Sequence, residues 1–142
     1  MLEQATSTGV CPKWLQSINK MSPDLAIHVL VVEDDFISRM HALTLVEDAG
    51  FTAIEASNAD EAIAILERRK DIRIVFTDID MPGSMDGLRL AHAIRKRWPP
   101  IELIVTSGYF NPREADMPER ARFFPKPYSD HDVVSTLQHF AA

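Results

Sequence analysis

The sequence predicts an α/β fold built on a five-stranded parallel sheet, and two observations support this prediction. Short β-branched runs alternate with helical patterns five times after residue 26, without a visible repeat. Parallel strands need crossover connections of this kind, most often helices. The 142 residues, with 46% hydrophobic and 25% charged side chains, suit one compact globular domain. We therefore expect a doubly wound sheet flanked by five helices.

The first strand is predicted at residues 28–32, and the acidic residues after it lead into a helix. Asp35 is the predicted N-cap of this helix, and Gly50 is its left-handed C-terminal cap. The apolar spacing predicts that the helix buries one stripe, which consists of Phe36, Met40, Leu43 and Val46.

Two further strand–helix units follow at residues 51–56 and 72–77. Asn58 is the predicted cap of the helix after the second strand, because a glutamate stands three residues later. The Pro99-Pro100 pair stops the helix after the third strand. The predicted buried stripes of these helices are Ala59, Ala62, Ile63 and Leu66 in one, and Gly87, Ala91, Ile94 and Trp98 in the other.

The alternation weakens in the last part of the chain. Strands are predicted at residues 101–107 and 122–125, and a helix between them begins at Asn111. Pro118 ends this helix after about two turns, because proline lacks the N–H that the helix needs. The last helix opens at Ser129. The fourth helix is therefore the shortest of the five.

Acidic residues follow two of the predicted strands, at the edge where a doubly wound sheet has its working site. Glu33 and Asp34 follow the first strand, and Asp78 follows the third. If these strands are neighbours the carboxylates converge, and two of them about 4 Å apart repel by roughly 4 kcal/mol at an effective dielectric near 20. A hard cation relieves such repulsion. An all-carboxylate set without Cys or His favours Mg²⁺.

Two further side chains are expected at this edge. Thr106, at the end of the fourth strand, supplies a hydroxyl, and Lys126, after the fifth, supplies an ammonium group. A cation, an ammonium and a hydroxyl around one carboxylate are what an incoming phosphoryl group requires. Asp78 would then be the nucleophile that forms an aspartyl phosphate. Ser107 takes the place of Thr106 if the strand ends one residue later.

Four motifs in chain order strongly resemble the receiver domain of two-component response regulators, such as CheY: VLVVEDD, FTDIDMPGSMDG, LIVTS and FPKP. The resemblance covers about residues 27–141 and implies the sheet order 2-1-3-4-5. We expect a stand-alone receiver at residues 27–142, since nothing follows the last helix. Residues 1–26 are expected to be an N-terminal extension, either a loose tail or one apolar helical turn containing Trp14, Leu15 and Ile18.

The resemblance implies a role for each acidic residue of the predicted site. Asp78 would accept the phosphoryl group, Asp34 would contact Mg²⁺ directly, and Glu33 would act on it largely through water. Asp80 would offer its backbone carbonyl to the metal. Its carboxylate stands where the family varies, and the extra charge is expected to alter the lifetime of the phosphate.

The resemblance also assigns residues of the last two strands. Thr106 matches the hydroxyl residue that moves toward the phosphoryl group, and Lys126 matches the lysine that pairs with that group. Phe123, three residues before Lys126, takes the aromatic switch position. The Lys126–Pro127 peptide bond is expected to be cis, which only proline makes inexpensive.

The expected partners follow from the resemblance and the composition. A histidine kinase or a phosphotransfer protein would donate the phosphoryl group, a downstream protein would respond to it, and a homodimer through the last helices is a further expectation. A net charge of −6 without a basic stripe argues against nucleic acid. No apolar run approaches the roughly 20 residues of a membrane span. With Cys11 as the only cysteine and no secretory signal, we expect a cytoplasmic protein that does not bind membranes.

Two other functions fit parts of the pattern. The Asp78-Ile79-Asp80 sequence after an apolar strand also resembles haloacid-dehalogenase-type phosphatases. That family begins with this strand, whereas 77 residues precede Asp78 here, and it needs a further acidic pair near a strand end. The other alternative is a receiver-like binding module that works without phosphorylation, which requires that Asp78→Asn retain all function.

Overall fold

Five parallel strands form a single sheet in a computed structural model that describes residues 27–83 and 85–142. Numbered in chain order, the strands lie in the order 2-1-3-4-5, which confirms the predicted α/β fold and its order. Each strand begins and ends within one residue of its predicted bounds. The predicted extension at residues 1–26 lies outside the described residues. The strands are β1 (His28–Val32), β2 (Thr52–Ala56), β3 (Ile72–Asp78), β4 (Glu102–Ser107) and β5 (Ala121–Pro125).

The described residues contain four α-helices, so the prediction of five is wrong by one. The segment between β4 and β5 forms only a 3-10 turn, Glu114–Asp116. Met117, just before Pro118, has extended backbone angles, because a residue that precedes proline is pushed out of the helical region. Too few residues remain for a helix to bury an apolar face. The four helices are α1 (Phe36–Asp48), α2 (Ala59–Arg68), α3 (Gly87–Arg97) and α4 (Asp130–Ala141).

Each α-helix begins at a side-chain cap that satisfies a free N–H of its first turn. The caps predicted at Asp35, Asn58 and Ser129 are confirmed, and Asp86 caps α3 in the same way. Gly50, predicted to end α1, has a φ of +99° just beyond that helix. These caps fix where each helix leaves the carboxyl edge of the sheet.

The predicted buried stripe of α1 is wrong for its first half. Phe36 is 61% exposed and Met40 is 44% exposed. The neighbouring Ile37 is also exposed, at 71%. The helix instead packs through Ala42, Leu45 and Val46. Apolar residues therefore occupy two sides of α1, and the sheet covers only one of them. The stripes of α2 and α3 are buried as predicted except for Ile63 and Trp98, which are half-buried.

The core has two parts, one on each face of the sheet. One part packs α2 and α3 against the sheet and includes Leu30, Val75 and Leu103. The other packs α1 and α4 against it and includes Phe76 and Ile104. None of the helices in the described part of the chain is long and apolar enough to cross a bilayer.

Candidate functional site

The three predicted acids meet at the carboxyl edge of the central strands. β1 and β3 are neighbours, and Val32 at the end of β1 is aligned with Thr77 in β3. The next residue on each strand is therefore an acid, Glu33 on one and Asp78 on the other. One carboxylate oxygen from each of Glu33, Asp34 and Asp78 lies within 4.8 Å of the others. The strand order alone thus brings these residues together, as the sequence predicts.

Two of these carboxylates are buried, and their oxygens are satisfied differently. Glu33 is 5% exposed and Asp78 is 4% exposed, whereas Asp34 faces solvent. The Glu33 carboxylate accepts hydrogen bonds from Lys126 Nζ at 2.8 Å and from the Asp35 backbone N–H at 3.1 Å. Asp78 Oδ1 is buried and has no hydrogen-bond donor among the described residues, although Lys126 Nζ lies 3.5 Å away. The acid predicted as the acceptor therefore has one oxygen that no group in the described part of the chain satisfies by a hydrogen bond.

Burial and neighbouring charge shift the two ionisable groups at the centre of the site. Burial, followed by the charge of Glu33, raises the pKa of Asp78 to about 7, and the nearby Lys126 only partly opposes this. Burial acts to lower the pKa of Lys126, but its hydrogen bond to Glu33 and the charges of Asp78 and Glu33 raise that pKa overall. The ammonium therefore stays charged while Asp78 titrates near neutral pH.

The last two strands deliver Thr106 and Lys126 to the acids. Thr106 is buried, and its Cα is aligned with that of Asp78 in the neighbouring strand. The backbone N–H of Lys126 donates to Ser107 O at 2.8 Å, which continues the β4–β5 pairing one residue past the strand. The Lys126–Pro127 peptide bond is cis, as the resemblance implies. Thr106, Lys126, Asp78 and Glu33 line one small cleft.

Gly87 allows α3 to begin directly against the backbone of Asp78. A Cβ built on Gly87 would lie 1.8 Å from the Asp78 carbonyl oxygen and 2.8 Å from Ile79 Cα. A Cβ cannot come this close to atoms to which it is not bonded, so a residue with a Cβ fits here only if the backbone shifts. The Gly87 N–H also donates to Ile79 O at 3.1 Å. The glycine that ends the FTDIDMPGSMDG motif thereby fixes the backbone under the candidate acceptor.

The Asp80 side chain points away from the acid cluster, toward the segment after β4. Asp80 Oδ2 accepts from Ser107 Oγ at 2.8 Å, Gly108 N at 2.9 Å and Tyr109 N at 3.4 Å. The Ser107 hydroxyl accepts in turn from Phe110 N at 2.7 Å. Ser107 is therefore engaged in this turn while Thr106 lines the cleft, which favours Thr106 as the hydroxyl of the site. The role predicted for the Asp80 carbonyl stays a prediction.

Phe123 does not join the cleft. It packs against the core on the α2 and α3 face, beside Met117 and Ala121, and it is half-buried. The next residue, Phe124, packs against the core on the other face. A groove without a covering α-helix runs along this part of β5 and includes Phe123 and Pro118. The switch role of Phe123 stays a prediction.

Two features of the site were not found from the sequence. Tyr128 lines the cleft and stacks on His41, with ring centres 5.7 Å apart, and burial raises its pKa to about 12. Its position two residues after Lys126 is the signal that could have identified it. The other feature is the exposed apolar surface of α1 (Phe36, Ile37 and Met40), which begins two residues after Asp34.

Comparison with known proteins decides the family. A family model described as the response regulator receiver domain matches residues 29–138. The chain belongs to this family. It is 36% identical over 114 residues to the sensor kinase CckA of Brucella abortus, a match that covers 78% of this chain and 12% of that protein. Over 114 residues it is 33% identical to the hydrogenase transcriptional regulatory protein HoxA of Cupriavidus necator, covering 78% of this chain and 23% of that protein.

A solved structure agrees with this assignment. The response regulator receiver protein from Pseudomonas putida is 27% identical with a TM-score of 0.71, covering 80% of this chain and 97% of that one. This receiver chain spans less than a quarter of the two curated relatives named above. Receiver domains are phosphoacceptor proteins of two-component signalling that generally bind Mg²⁺ at an acidic pocket. The phosphatase alternative loses its support, because the matching family is a different one.

Proposed function

We propose that Asp78 accepts a phosphoryl group from the phosphohistidine of a histidine kinase or a phosphotransfer protein, and that this changes a protein-binding surface. The observation that carries the proposal is the buried Asp78 Oδ1, which accepts no hydrogen bond from residues 27–83 or 85–142 and lies 3.5 Å from Lys126 Nζ. A buried acceptor without a donor is costly unless another group satisfies it. A phosphorus atom bonded to this oxygen is such a group.

The acid cluster fits Mg²⁺. Its ligand atoms are carboxylate oxygens within 4.8 Å of one another, and Mg²⁺ is commonly held by one or two carboxylates together with phosphate oxygens and water. Asp34, Asp78 and Glu33 would hold the ion, the last largely through water, and Asp80 would contribute its backbone carbonyl. When bound, Mg²⁺ supplies positive charge that offsets the repulsion among the carboxylates and the phosphoryl oxygens.

The reaction is a displacement at phosphorus. Asp78 Oδ1 forms the new oxygen–phosphorus bond while the phosphorus–nitrogen bond of the phosphohistidine breaks, and the electron pair stays on the imidazole nitrogen. The Lys126 ammonium group, which donates a hydrogen bond to Glu33 before the reaction, lies close enough to pair with a phosphoryl oxygen. Thr106 would donate its hydroxyl to another oxygen. Water later attacks phosphorus, the bond from phosphorus to Asp78 Oδ1 breaks, and inorganic phosphate and a proton leave while Asp78 regains its carboxylate. The chain thus acts as a signalling phosphoacceptor that catalyses its own phosphorylation and its own slow dephosphorylation.

The surface around the cleft supports docking of a donor protein. Phe36, Ile37 and Met40 form an exposed apolar surface on α1 next to the acids. Exposed apolar patches beside a reactive site are typical of protein-binding surfaces. We assign this surface to binding of the phosphoryl donor. The structural change that follows phosphorylation is assigned to the β4–β5 region, which includes Thr106 and Phe123. In this proposal residues 27–142 form a cytoplasmic receiver that binds neither nucleic acid nor membrane.

Phosphoryl uptake tests the proposal directly. The wild-type chain, incubated with a phosphorylated histidine phosphotransfer protein or with acetyl phosphate, should gain one phosphoryl group by intact mass. The label should depend on Mg²⁺ and disappear in chelator. Asp78→Asn should remain unlabelled, because an amide oxygen is a poor nucleophile.

Asp86→Asn is the matched control for this experiment. It removes a carboxylate from the same connection, and asparagine caps a helix as well as aspartate does. This variant should take up the label like the wild type. Labelling of Asp78→Asn at the wild-type level would overturn the proposal.

A further inference from the structure

Arg39, near the start of α1, joins this helix to the end of β1 and to β2. Its Nη1 donates to the backbone carbonyl oxygen of Glu33 at 2.9 Å, and its Nε donates to Glu55 Oε1, on β2, at 3.0 Å. The Arg39 side chain is only 15% exposed. Because the guanidinium is planar and rigid, the bond to Glu55 also fixes the direction in which Nη1 donates. Arg39 therefore holds the peptide group that follows Glu33.

This contact bears on Asp34, whose carboxylate belongs to the acid cluster but faces solvent. Asp34 stands between two peptide groups, and both are held by hydrogen bonds. Arg39 binds the carbonyl of the first, and the N–H of the second, which is that of Asp35, donates to the Glu33 carboxylate at 3.1 Å. Because a peptide group is planar, fixing one of its polar atoms restrains the whole group. The two bonds together therefore restrain φ and ψ of Asp34.

We propose that Arg39 is a positioning residue for the metal site, because its bond to the Glu33 carbonyl keeps the exposed Asp34 carboxylate beside those of Glu33 and Asp78. The inference rests on the Mg²⁺ site proposed above and deepens it. A ligand that is already oriented loses less conformational freedom when it binds a cation. Groups that orient metal ligands without touching the metal commonly change its affinity by 10- to 100-fold when they are removed.

The charge of Arg39 acts in the opposite direction from its hydrogen bond. A positive group near three carboxylates repels a cation, so removing the charge should by itself tighten Mg²⁺ binding. Glu55, paired with the guanidinium at 3.0 Å, offsets part of this repulsion. The sign of the effect therefore separates a positioning role from a purely electrostatic one.

The test is a calorimetric titration of Mg²⁺ into the unphosphorylated full-length chain. Arg39→Ala should raise the Kd for Mg²⁺ on the order of tenfold. Arg39→Lys keeps the charge but loses the fork, so its single ammonium should restore only part of the affinity. The Mg²⁺ concentration for half-maximal phosphoryl uptake should rise in the same order, while the rate of uptake at saturating Mg²⁺ should change little.

Two controls separate this role from a general loss of charge or stability. Arg68→Ala removes the same charge from an exposed position at the end of α2, away from the carboxyl edge of the sheet, so it should leave the Kd for Mg²⁺ unchanged. Hydrogen exchange in the metal-free proteins should show faster exchange of the Asp35 amide in Arg39→Ala but not in Arg68→Ala. The amides of β3 should stay protected in both variants.

The outcomes distinguish this inference from the proposed function. If Arg39→Ala binds Mg²⁺ as tightly as the wild type or more tightly, or if exchange of the Asp35 amide is unchanged, the positioning role is wrong and the acceptor role of Asp78 stands. If Arg39→Ala loses the protection of β3, Arg39→Lys decides, and wild-type affinity in that variant would overturn the role. If the wild type binds no Mg²⁺, the proposed metal site fails and the positioning role fails with it.

Discussion

The two connections that leave the acidic edge after β3 and after β4 are built in different ways. The first, residues 79–86, is held by close backbone approach: Ile79 N donates to Thr106 O at 2.8 Å, and Gly87 N donates to Ile79 O at 3.1 Å. Ile79 and Met81 are buried. The second connection, residues 108–120, forms no α-helix and leaves Tyr109 almost fully exposed.

Side chains from elsewhere hold the second connection in place. His92 Nε2 lies 2.7 Å from Asp116 O, and Arg95 Nε donates to Glu119 O at 2.8 Å. Asp80 holds its beginning, as described above. The comparison indicates that the backbone of the candidate acceptor is fixed by close packing against Gly87, where a Cβ does not fit. The second connection, at the same edge, is held mainly by exposed hydrogen bonds, which are individually weak and can be exchanged for bonds to water.

Alanine at the two glycines should give the largest contrast between the connections. In Gly87→Ala the new Cβ would overlap the Asp78 carbonyl, so α3 must shift, and we expect a loss of about 3 kcal/mol or more together with the loss of phosphoryl uptake. In Gly108→Ala the nearest heavy atom is 3.8 Å from the new Cβ, and the φ of Gly108 is not positive. This variant should lie within about 0.5–1 kcal/mol of the wild type, on the stable side, because alanine restricts the unfolded chain.

Urea unfolding of the three proteins measures this contrast. Equal midpoints for Gly87→Ala and the wild type would mean that α3 does not press on the acceptor backbone. A large loss in Gly108→Ala would mean that the second connection is packed as tightly as the first.

The pH dependence of stability should separate the buried Asp78 from the hydrogen-bonded acids around it. Burial and the Glu33 charge raise the pKa of Asp78 from 3.8 to about 7, so the folded chain binds a proton that the unfolded chain has released between these values. The contribution of this group to stability is greatest at low pH and falls as the pH rises to about 7. Between pH 5 and pH 7 the fall should be on the order of 2 kcal/mol, since one pKa unit corresponds to about 1.4 kcal/mol.

Asp78→Asn isolates this effect, because it keeps the other acids and cannot titrate at this position. In chelator, the free energy of unfolding of Asp78→Asn minus that of the wild type should increase from pH 5 to pH 7 and level off above. A difference that is constant with pH would show that Asp78 is ionised throughout and that the repulsion in the cluster is relieved in another way.

The parts of the fold that were predicted correctly are those set by local patterns and by strand order. The strands and the capping residues follow from short runs of residues, each of which fits only one kind of secondary structure. The convergence of Glu33, Asp34 and Asp78 follows from the strands in the same way. Once β1 and β3 are neighbours, the meeting of the acids needs no further information.

The features of the fold that the sequence did not predict depend on tertiary contacts, that is, on which part of the folded chain packs against each residue. Helix α1 carries apolar residues on two sides, and only the packed structure shows that Phe36 and Met40 face solvent while Leu45 faces the sheet. The pattern after Asn111 predicts a helix as readily as a turn. The hydrogen bonds of Asp80 join residues 27 or more positions apart, which no local spacing reveals.

Arg120 offers the smallest and most local test of how the second connection is held. It is the one non-glycine residue with a positive φ, +60°, among those that the structure describes, and a left-handed conformation costs an L-residue roughly 1–2 kcal/mol. Its guanidinium offsets this cost by donating to Pro99 O at 2.6 Å and lying 3.6 Å from Glu102.

Arg120→Ala and Arg120→Gly lose the same side-chain contacts, but only glycine relieves the strain of the left-handed backbone. The relieved backbone strain favours Arg120→Gly, whereas the greater flexibility of glycine in the unfolded chain opposes it. The free energy of unfolding of Arg120→Gly should therefore exceed that of Arg120→Ala by about 0.5–1 kcal/mol in urea unfolding. If Arg120→Ala is the more stable variant, the turn before β5 does not hold this residue in the left-handed region. Since the proposed acceptor, Asp78, immediately precedes the other connection, both variants should be labelled like the wild type.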